Sequence, residues 1–138
     1  MAERIFSIGK KYLIFPIGGN AVTVNVLLSC NGESLYDLDL RLCDRPDFIA
    51  WLDAERFIGK NLCFSLAGNA VLLDLIEESD SLPEGVYWEE LRPQLHYTPM
   101  RGWVNDPNGL VYAGGKYHLF YKHNPYDVRW GNMHCGHA

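Results

Sequence analysis

The stretch of this sequence with the clearest chemical potential is Asn105-Asp106-Pro107-Asn108-Gly109. Each of these residue types favours a tight turn, so a plain surface turn is one interpretation. The other interpretation is that a turn made rigid by Pro107 fixes the direction of the Asp106 carboxylate. A carboxylate held in a fixed direction can serve as a nucleophile or as a general acid or base. The flanking sequence has to decide between the two.

Histidine and cysteine offer a second candidate chemistry. All five histidines lie in residues 94–138, where His134-Cys135-Gly136-His137 brings two imidazoles and a thiol together. Successive side chains of a strand point to opposite faces, so we predict no metal site here. No cofactor is expected, because the sequence has no glycine-rich phosphate loop. The cysteines, at positions 30, 43, 63 and 135, lack C-x-x-C spacing and are interpreted as mostly buried thiols.

The element that must position Asp106 is a predicted β-hairpin. Residues 110–112 and 117–121 are rich in aromatic and aliphatic side chains and flank the turn signal Gly114-Gly115. Residues 94–138 carry 4 basic and 2 acidic side chains, whereas residues 1–93 carry 8 basic and 15 acidic ones. This shift in composition indicates a scaffold followed by a segment that lines a site.

The overall composition excludes several classes of protein. The chain has 138 residues, 48% of them apolar, and a formal net charge of −5, which are globular values. The acidic balance argues against nucleic acid or an anionic membrane as a partner. No apolar run approaches about 18 residues, so no membrane-spanning helix is predicted. The N-terminus shows no signal-peptide pattern, so the sequence as written indicates a cytoplasmic protein.

Residues 1–80 are predicted to form a small β-sandwich-like module. Short runs of alternating polarity are separated by turn signals such as Asn31-Gly32. We predict one helical turn at residues 53–59 and five strands, at residues 11–17, 22–28, 36–42, 61–66 and 70–76. Residues 81–93 are predicted to be a linker, and residues 94–138 a second, incomplete domain.

The module shows no catalytic constellation. Its charged residues are spaced as solvent-facing strand positions, including Asp37, Asp39 and Arg41. The alternative is a carbohydrate-contacting surface that uses Trp51 or Tyr36, although a lone aromatic residue more often belongs to the core.

Residues 93–138 resemble the start of the fructan-cleaving glycoside hydrolases of family 32, which include invertases, levanases and inulinases. Several segments match in order and spacing: His96-Tyr97-Thr98-Pro99, residues 102–112, residues 115–121, Asn124-Pro125 and residues 130–138. Residues 1–80 resemble, more weakly, the β-rich module that precedes the catalytic domain in some bacterial levanase-like members.

The resemblance implies an all-β protein in which the module is followed by the first strands of a five-bladed β-propeller. It implies that Asp106 is the nucleophile of a retaining hydrolase acting on sucrose, levan or inulin. Retaining enzymes hold two carboxyl groups about 5–5.5 Å apart. The second carboxylate of the family lies in a later Glu-Cys motif and a stabilising Asp in a later Arg-Asp-Pro motif, and neither motif occurs here. We therefore expect a truncated member that is inactive alone.

Four further positions follow from the resemblance. Asn105 is expected to bind sugar hydroxyls and Trp130 to pack against the fructosyl ring. Lys122, also placed among the substrate-binding residues, stands where the family usually has Gln, and Cys135 stands where it often has Trp. These two departures keep open a non-catalytic carbohydrate-binding or partner-binding module, or a small β-domain with a vestigial resemblance. Full-length relatives are often secreted or periplasmic, which leaves the localisation open.

Overall fold

The computed structural model describes residues 1–138, and almost all of its regular secondary structure is strand. Ten strands and two short 3₁₀ helices follow one another, and no helix is long and apolar enough to span a membrane. The all-β class predicted from the sequence is therefore confirmed. The chain divides into two compact units, Met1–Glu84 and Gly85–Ala138.

The first unit contains a four-stranded antiparallel sheet. Its strands lie in the order β1 (Ala2–Ser7), β6 (Asn61–Leu66), β3 (Val24–Cys30) and β4 (Glu33–Leu40). Apolar side chains at alternate positions of these strands point to one face and are buried there, as the period of two requires. The fully or almost fully buried ones are Val26, Leu28, Leu38, Leu40, Leu62, Phe64 and Leu66.

The second sheet of this unit has three antiparallel strands in the order β5 (Phe48–Asp53), β2 (Tyr12–Ile17) and β7 (Glu77–Ser79). Phe15 of β2 contacts Phe64 of the larger sheet, with ring centroids 6.5 Å apart. Phe6 of β1 meets the same ring edge-on at 5.0 Å. The core therefore lies between two sheets, as in a sandwich.

Much of the predicted strand pattern of residues 1–80 is present. The strand at residues 61–66 has the predicted bounds, and those at 11–17, 22–28 and 36–42 overlap β2, β3 and β4. Asn31 and Gly32 join β3 to β4 with φ of 51° and 79°, the left-handed conformation that a two-residue hairpin turn needs. The predicted helical turn contains the 3₁₀ helix Glu55–Phe57.

The predicted strand at residues 70–76 is wrong, because Ala70–Leu75 form a 3₁₀ helix. The Asn69 side chain accepts a hydrogen bond from the Val71 backbone N–H at 3.2 Å and caps this helix. A short run of apolar residues fits a buried strand and a buried helical turn equally well, so the run alone does not distinguish a strand from a helix. The capping asparagine was the deciding signal.

The sequence prediction also missed β1, β5 and β7. Strand β7 has only three residues, and β1 has charged residues among its apolar ones. The prediction that Arg41 faces solvent is wrong as well. Arg41 is 1% exposed, and its Nη1 donates to the Gly19 carbonyl oxygen. Strand β4 ends at Leu40, so the face alternation does not extend to Arg41.

Two further expectations concern single side chains. Trp51 is only 7% exposed and belongs to the core, which rules it out as a sugar-contacting surface residue. All four cysteines are free thiols, but Cys30, Cys43 and Cys63 are only partly buried and Cys135 is exposed. The prediction that the thiols are mostly buried is therefore wrong.

The second unit contains a three-stranded antiparallel sheet in the order β10 (His134–His137), β9 (Lys116–Asn124) and β8 (Trp103–Ala113). Gly114 and Gly115, with φ of 58° and 78°, join β8 to β9 and confirm the predicted hairpin. The outer side of β8 has no partner strand within the sheet.

We expect Phe64→Ala to destabilise the first unit strongly, because Phe64 is fully buried and contacts Phe6 within its own sheet and Phe15 of the other sheet. Removing a buried phenyl ring typically costs about 3–5 kcal/mol. Urea denaturation of the parent and the variant measures this difference. Ile5→Ala is the control on a side chain that is 66% exposed, and it should cost less than about 1 kcal/mol. Equal effects of the two substitutions would place the core elsewhere.

Candidate functional site on the sheet of the second unit

Asp106 occupies a bulge in β8. Asn105 pairs with Lys122 of β9 and Pro107 pairs with Tyr121, so Asp106 is the extra residue with no partner in the ladder. Its φ is 43°, a left-handed conformation that is uncommon outside glycine. The Asn108 side chain donates to the Asp106 carbonyl oxygen at 3.0 Å and supports this conformation. A bulge changes the direction of a side chain at a strand, which is how the carboxylate is presented.

The Asp106 carboxylate has one side-chain partner. The Lys122 Nζ lies 3.3 Å from Oδ2, and the two side chains are 52% and 61% exposed. An ion pair this exposed contributes only about 0–1 kcal/mol to stability. The ion pair therefore positions the carboxylate and places a positive charge beside it, but contributes little to the stability of the fold. No second carboxylate contacts Asp106.

The strand register places Lys122 in the middle of a row across the sheet. Asn105 of β8 lies opposite Lys122, and Cys135 of β10 lies opposite it on the other side. Directly paired residues of antiparallel strands share a face, so Asn105, Lys122 and Cys135 form one row beside Asp106. We call these four residues the Asp106 row.

Trp103 fixes the orientation of Asn105. The indole Nε1–H of Trp103 donates to Asn105 Oδ1 at 3.0 Å. This bond uses the acceptor of the amide and leaves its NH₂ group to donate to a ligand. Trp103 therefore supports the site by positioning the Asn105 amide.

Trp130 is not part of the Asp106 row. It lies between β9 and β10, is 70% exposed, and makes neither a hydrogen bond nor a ring contact. The structure thus joins three of the four predicted site residues, Asp106, Asn105 and Lys122, by strand pairing and an ion pair, whereas no such contact joins Trp130 to them.

Two histidines next to the row were not assigned a role from the sequence. His118 Nδ1 and His137 Nε2 are 3.0 Å apart, and His118 Nε2 lies 3.3 Å from the Ala113 carbonyl oxygen, to which it donates. The neutral His118 ring then accepts from His137. His137 also stacks on Phe120 at 4.4 Å. The register pairs His137 with Phe120. Aligning β9 with β10 in the sequence would therefore have brought His118, Phe120 and His137 together.

The opposite face of the sheet is packed and supports the row from behind. Tyr121 is buried, and its hydroxyl lies 2.5 Å from that of Tyr97. Burial and this hydrogen bond raise the pKa of Tyr97. Gly136 lies opposite Tyr121, where any side chain would collide with the tyrosine ring. The close approach explains why this position of β10 is a glycine.

His123 also belongs to this packed face, and its pKa is shifted. Its Nε2–H donates to the Arg101 carbonyl oxygen at 2.8 Å. Partial burial lowers the pKa of His123, and Arg101 and His134 add to the effect by charge repulsion. Burial also lowers the pKa of Arg101, to about 10.

Comparison with known proteins finds similarity in the part of the chain that contains Asp106. Residues 96–138 match the family model described as "Glycosyl hydrolases family 32 N-terminal domain". This part of the chain is similar to the N-terminal domain of glycosyl hydrolase family 32. The family match includes the whole Asp106 row and all three strands of its sheet.

Three relatives illustrate the similarity. A levanase of Bacillus subtilis is 50% identical over 84 residues, which are 61% of this chain and 12% of the levanase. An invertase of Schizosaccharomyces pombe is 48% identical over 60 residues, 44% of this chain and 10% of that protein. An extracellular exo-inulinase of Aspergillus niger is 50% identical over 52 residues, 38% of this chain and 10% of that protein. The chain thus spans about a tenth of the length of these relatives.

We expect His123→Gln to reduce the loss of stability at mildly acidic pH. Because the folded pKa of His123 lies below its unfolded value, the unfolded chain takes up the proton first as pH falls. The stability due to neutral His123 is present above about pH 6.5 and is lost below it. Gln keeps a donor for the Arg101 carbonyl oxygen but does not titrate.

The measurement is the thermal midpoint between about pH 7.5 and about pH 5.5. The midpoint should fall less in His123→Gln than in the parent. His96→Gln, at an exposed histidine, is the control and should behave as the parent does. An identical pH dependence in parent and His123→Gln would contradict the expectation.

Proposed function

We propose that residues 94–138 supply the nucleophile strand of a retaining glycoside hydrolase that cleaves fructose-containing saccharides. The observation that carries the proposal is Asp106 itself, a carboxylate turned out of the ladder by a bulge onto an exposed sheet face. The names of the matched relatives, a levanase, an invertase and an exo-inulinase, support the substrate class. Sucrose, levan and inulin are all candidates within that class.

In the proposed reaction, an oxygen of the Asp106 carboxylate attacks the anomeric carbon of a fructosyl unit. The bond from that carbon to the leaving oxygen breaks, and the leaving oxygen takes a proton from a second carboxyl group. Water then attacks the anomeric carbon of the fructosyl ester, and the second group, now a carboxylate, accepts the proton of the water. The bond from that carbon to the Asp106 oxygen breaks, which releases fructose and restores the Asp106 carboxylate. The Asp106 row contains a single carboxylate, so it supplies the nucleophile but not this acid/base.

The other predicted residues have distinct proposed roles. Asn105, oriented by Trp103, donates its amide N–H groups to sugar hydroxyls. Trp130 offers an exposed indole face against which the fructosyl ring could pack. Lys122 holds the carboxylate by charge at 3.3 Å and donates to the sugar from the same ammonium group.

The single carboxylate also favours a second candidate, a non-catalytic carbohydrate-binding module. Asp106 with Lys122, Asn105 and Trp130 provides acceptors, donors and an aromatic face without a complete catalytic pair. Saccharide binding that persists with no turnover in a protein that also contains the second carboxylate would select this candidate.

A chimera tests the nucleophile. Residues 96–138 replace the matching segment of the Bacillus subtilis levanase, which then provides the rest of the enzyme. We expect the chimera to release fructose from levan and Asp106→Asn to reduce turnover by several orders of magnitude, because the amide cannot form the ester. Levan binding should largely survive, since the substitution keeps size and most hydrogen bonding.

The 138-residue chain alone is the control that lacks the second carboxylate, and it should release no reducing sugar. Near-parental turnover of the Asp106→Asn chimera would remove the nucleophile assignment. A burst of product in rapid-mixing experiments would give direct evidence for the ester.

We expect Lys122→Gln in the same chimera to hold or raise turnover, by up to about fivefold. The ammonium stabilises the Asp106 carboxylate before attack and loses that partner when the neutral ester forms, so it adds to the barrier. The limit follows from the small value of an exposed ion pair. The readout is kcat and its pH profile beside the parent chimera, with Lys116→Gln at the far end of β9 as the control. A clear fall in kcat would instead show that Lys122 assists Asp106.

A further inference from the structure

A groove in the first unit lies where the two sheets of the sandwich open at one edge. Strand β4 is an edge strand of the larger sheet, and β5 is an edge strand of the smaller one. The 3₁₀ helix Glu55–Phe57 follows β5 and closes one end. The groove has a volume of about 520 Å³ and is lined by Tyr36, Leu52, Asp53, Glu55 and Arg56. This volume is in the range of small-molecule sites.

The polar groups of the groove are held in place before any ligand arrives. Arg56 Nη2 donates to the Tyr36 hydroxyl at 2.6 Å, and its guanidinium lies 4.6 Å from the centroid of the buried Phe57 ring. The Asp53 side chain accepts from the Glu55 backbone N–H at 3.0 Å. Glu55 in turn pairs with Lys11 at 3.4 Å. Groups fixed in this way lose little conformational freedom when they bind a ligand.

The chemistry of the lining fits a neutral ligand rich in hydroxyl groups. Arg56 has further N–H donors, and Asp53 and Glu55 have carboxylate oxygens that accept. The groove can therefore both donate hydrogen bonds to a hydroxyl group and accept them from it. Tyr36 supplies an aromatic ring, and Leu52 an apolar contact, for the C–H face of a sugar. Asp53 and Glu55 balance the charges of Arg56 and Lys11, so the groove has no excess positive charge, and it lies in a part of the chain with 15 acidic and 8 basic residues. Both facts disfavour an anion.

We propose that this groove is a second saccharide-binding site, and that its ligand is a neutral fructan chain. The assignment to fructan rests on the function proposed for Asp106, whereas the assignment to a neutral saccharide rests on the groove alone. A site on the first unit would hold part of a polymer without taking part in bond cleavage. Its contribution would be to raise the effective concentration of polymer near the protein.

The experiment measures binding of levan to the 138-residue chain by affinity gel electrophoresis, with dextran as the comparison polymer. We expect levan to retard the parent, and Tyr36→Ala to weaken the apparent affinity at least about tenfold. Tyr36→Phe, which keeps the ring and loses the hydroxyl contact with Arg56, should have a smaller effect. Tyr117→Ala removes a tyrosine that is 85% exposed in the second unit and is the matched control, with parental binding expected.

NMR titration of the parent with a short inulin oligosaccharide provides a readout that does not depend on a variant folding. Shifts at Tyr36, Leu52 and Arg56 would support the proposal, and the absence of shifts there would overturn it. Parental retardation of Tyr36→Ala would also overturn it, and equal binding of dextran would overturn the assignment to fructan. If Asn105→Ala abolishes binding while Tyr36→Ala does not, the saccharide binds only at the Asp106 row. The groove proposal then fails while the proposed function stands.

Discussion

The chemistry proposed for this chain depends on one irregularity in the pairing of two strands. Strand β8 has one residue more than β9 between the pairs Asn105–Lys122 and Pro107–Tyr121, and that residue is Asp106. In a regular ladder, the side chain of Asp106 would point to the face opposite to that of its neighbours Asn105 and Pro107. The bulge instead lets Asn105 and Asp106 serve the same face, with Lys122 within 3.3 Å of the carboxylate. Pro107 has no N–H to lose at such a position.

The packed face behind the row keeps this arrangement in register. Gly136 and Tyr121 fit together only because the glycine has no side chain, and the Tyr121 hydroxyl meets that of Tyr97. A shift of β9 by one residue would bring Lys122 to this packed side and Tyr121 to the open side. The aromatic residues of the second unit therefore hold the strands in place and thus position the charged residues on the other face.

The sequence predicted the parts of the structure that depend on local rules. The hairpins at Asn31-Gly32 and Gly114-Gly115 follow from residues that accept positive φ, and β6 follows from its flanking turns. The sequence could not predict what depends on contacts distant along the chain. Arg41 is buried because it reaches the Gly19 carbonyl oxygen, 22 residues away. The 3₁₀ helix Ala70–Leu75 is a different case, because its asparagine cap is a local signal that the strand prediction overlooked. Asp106 and Lys122 were each identified, but their ion pair appears only when β8 and β9 are aligned.

The irregularities of β8 have an effect on solubility as well. This strand has eleven residues, an outer side without a partner in its sheet, and exposed apolar side chains at Leu110, Val111 and Tyr112. A long, regular, apolar edge would template the addition of strands from other molecules and lead to aggregation. Register shifts at Asp106 and between Asn108 and Val111, together with Pro107, interrupt the row of donors and acceptors along that edge. The bulge that presents the carboxylate therefore also protects the edge against self-association.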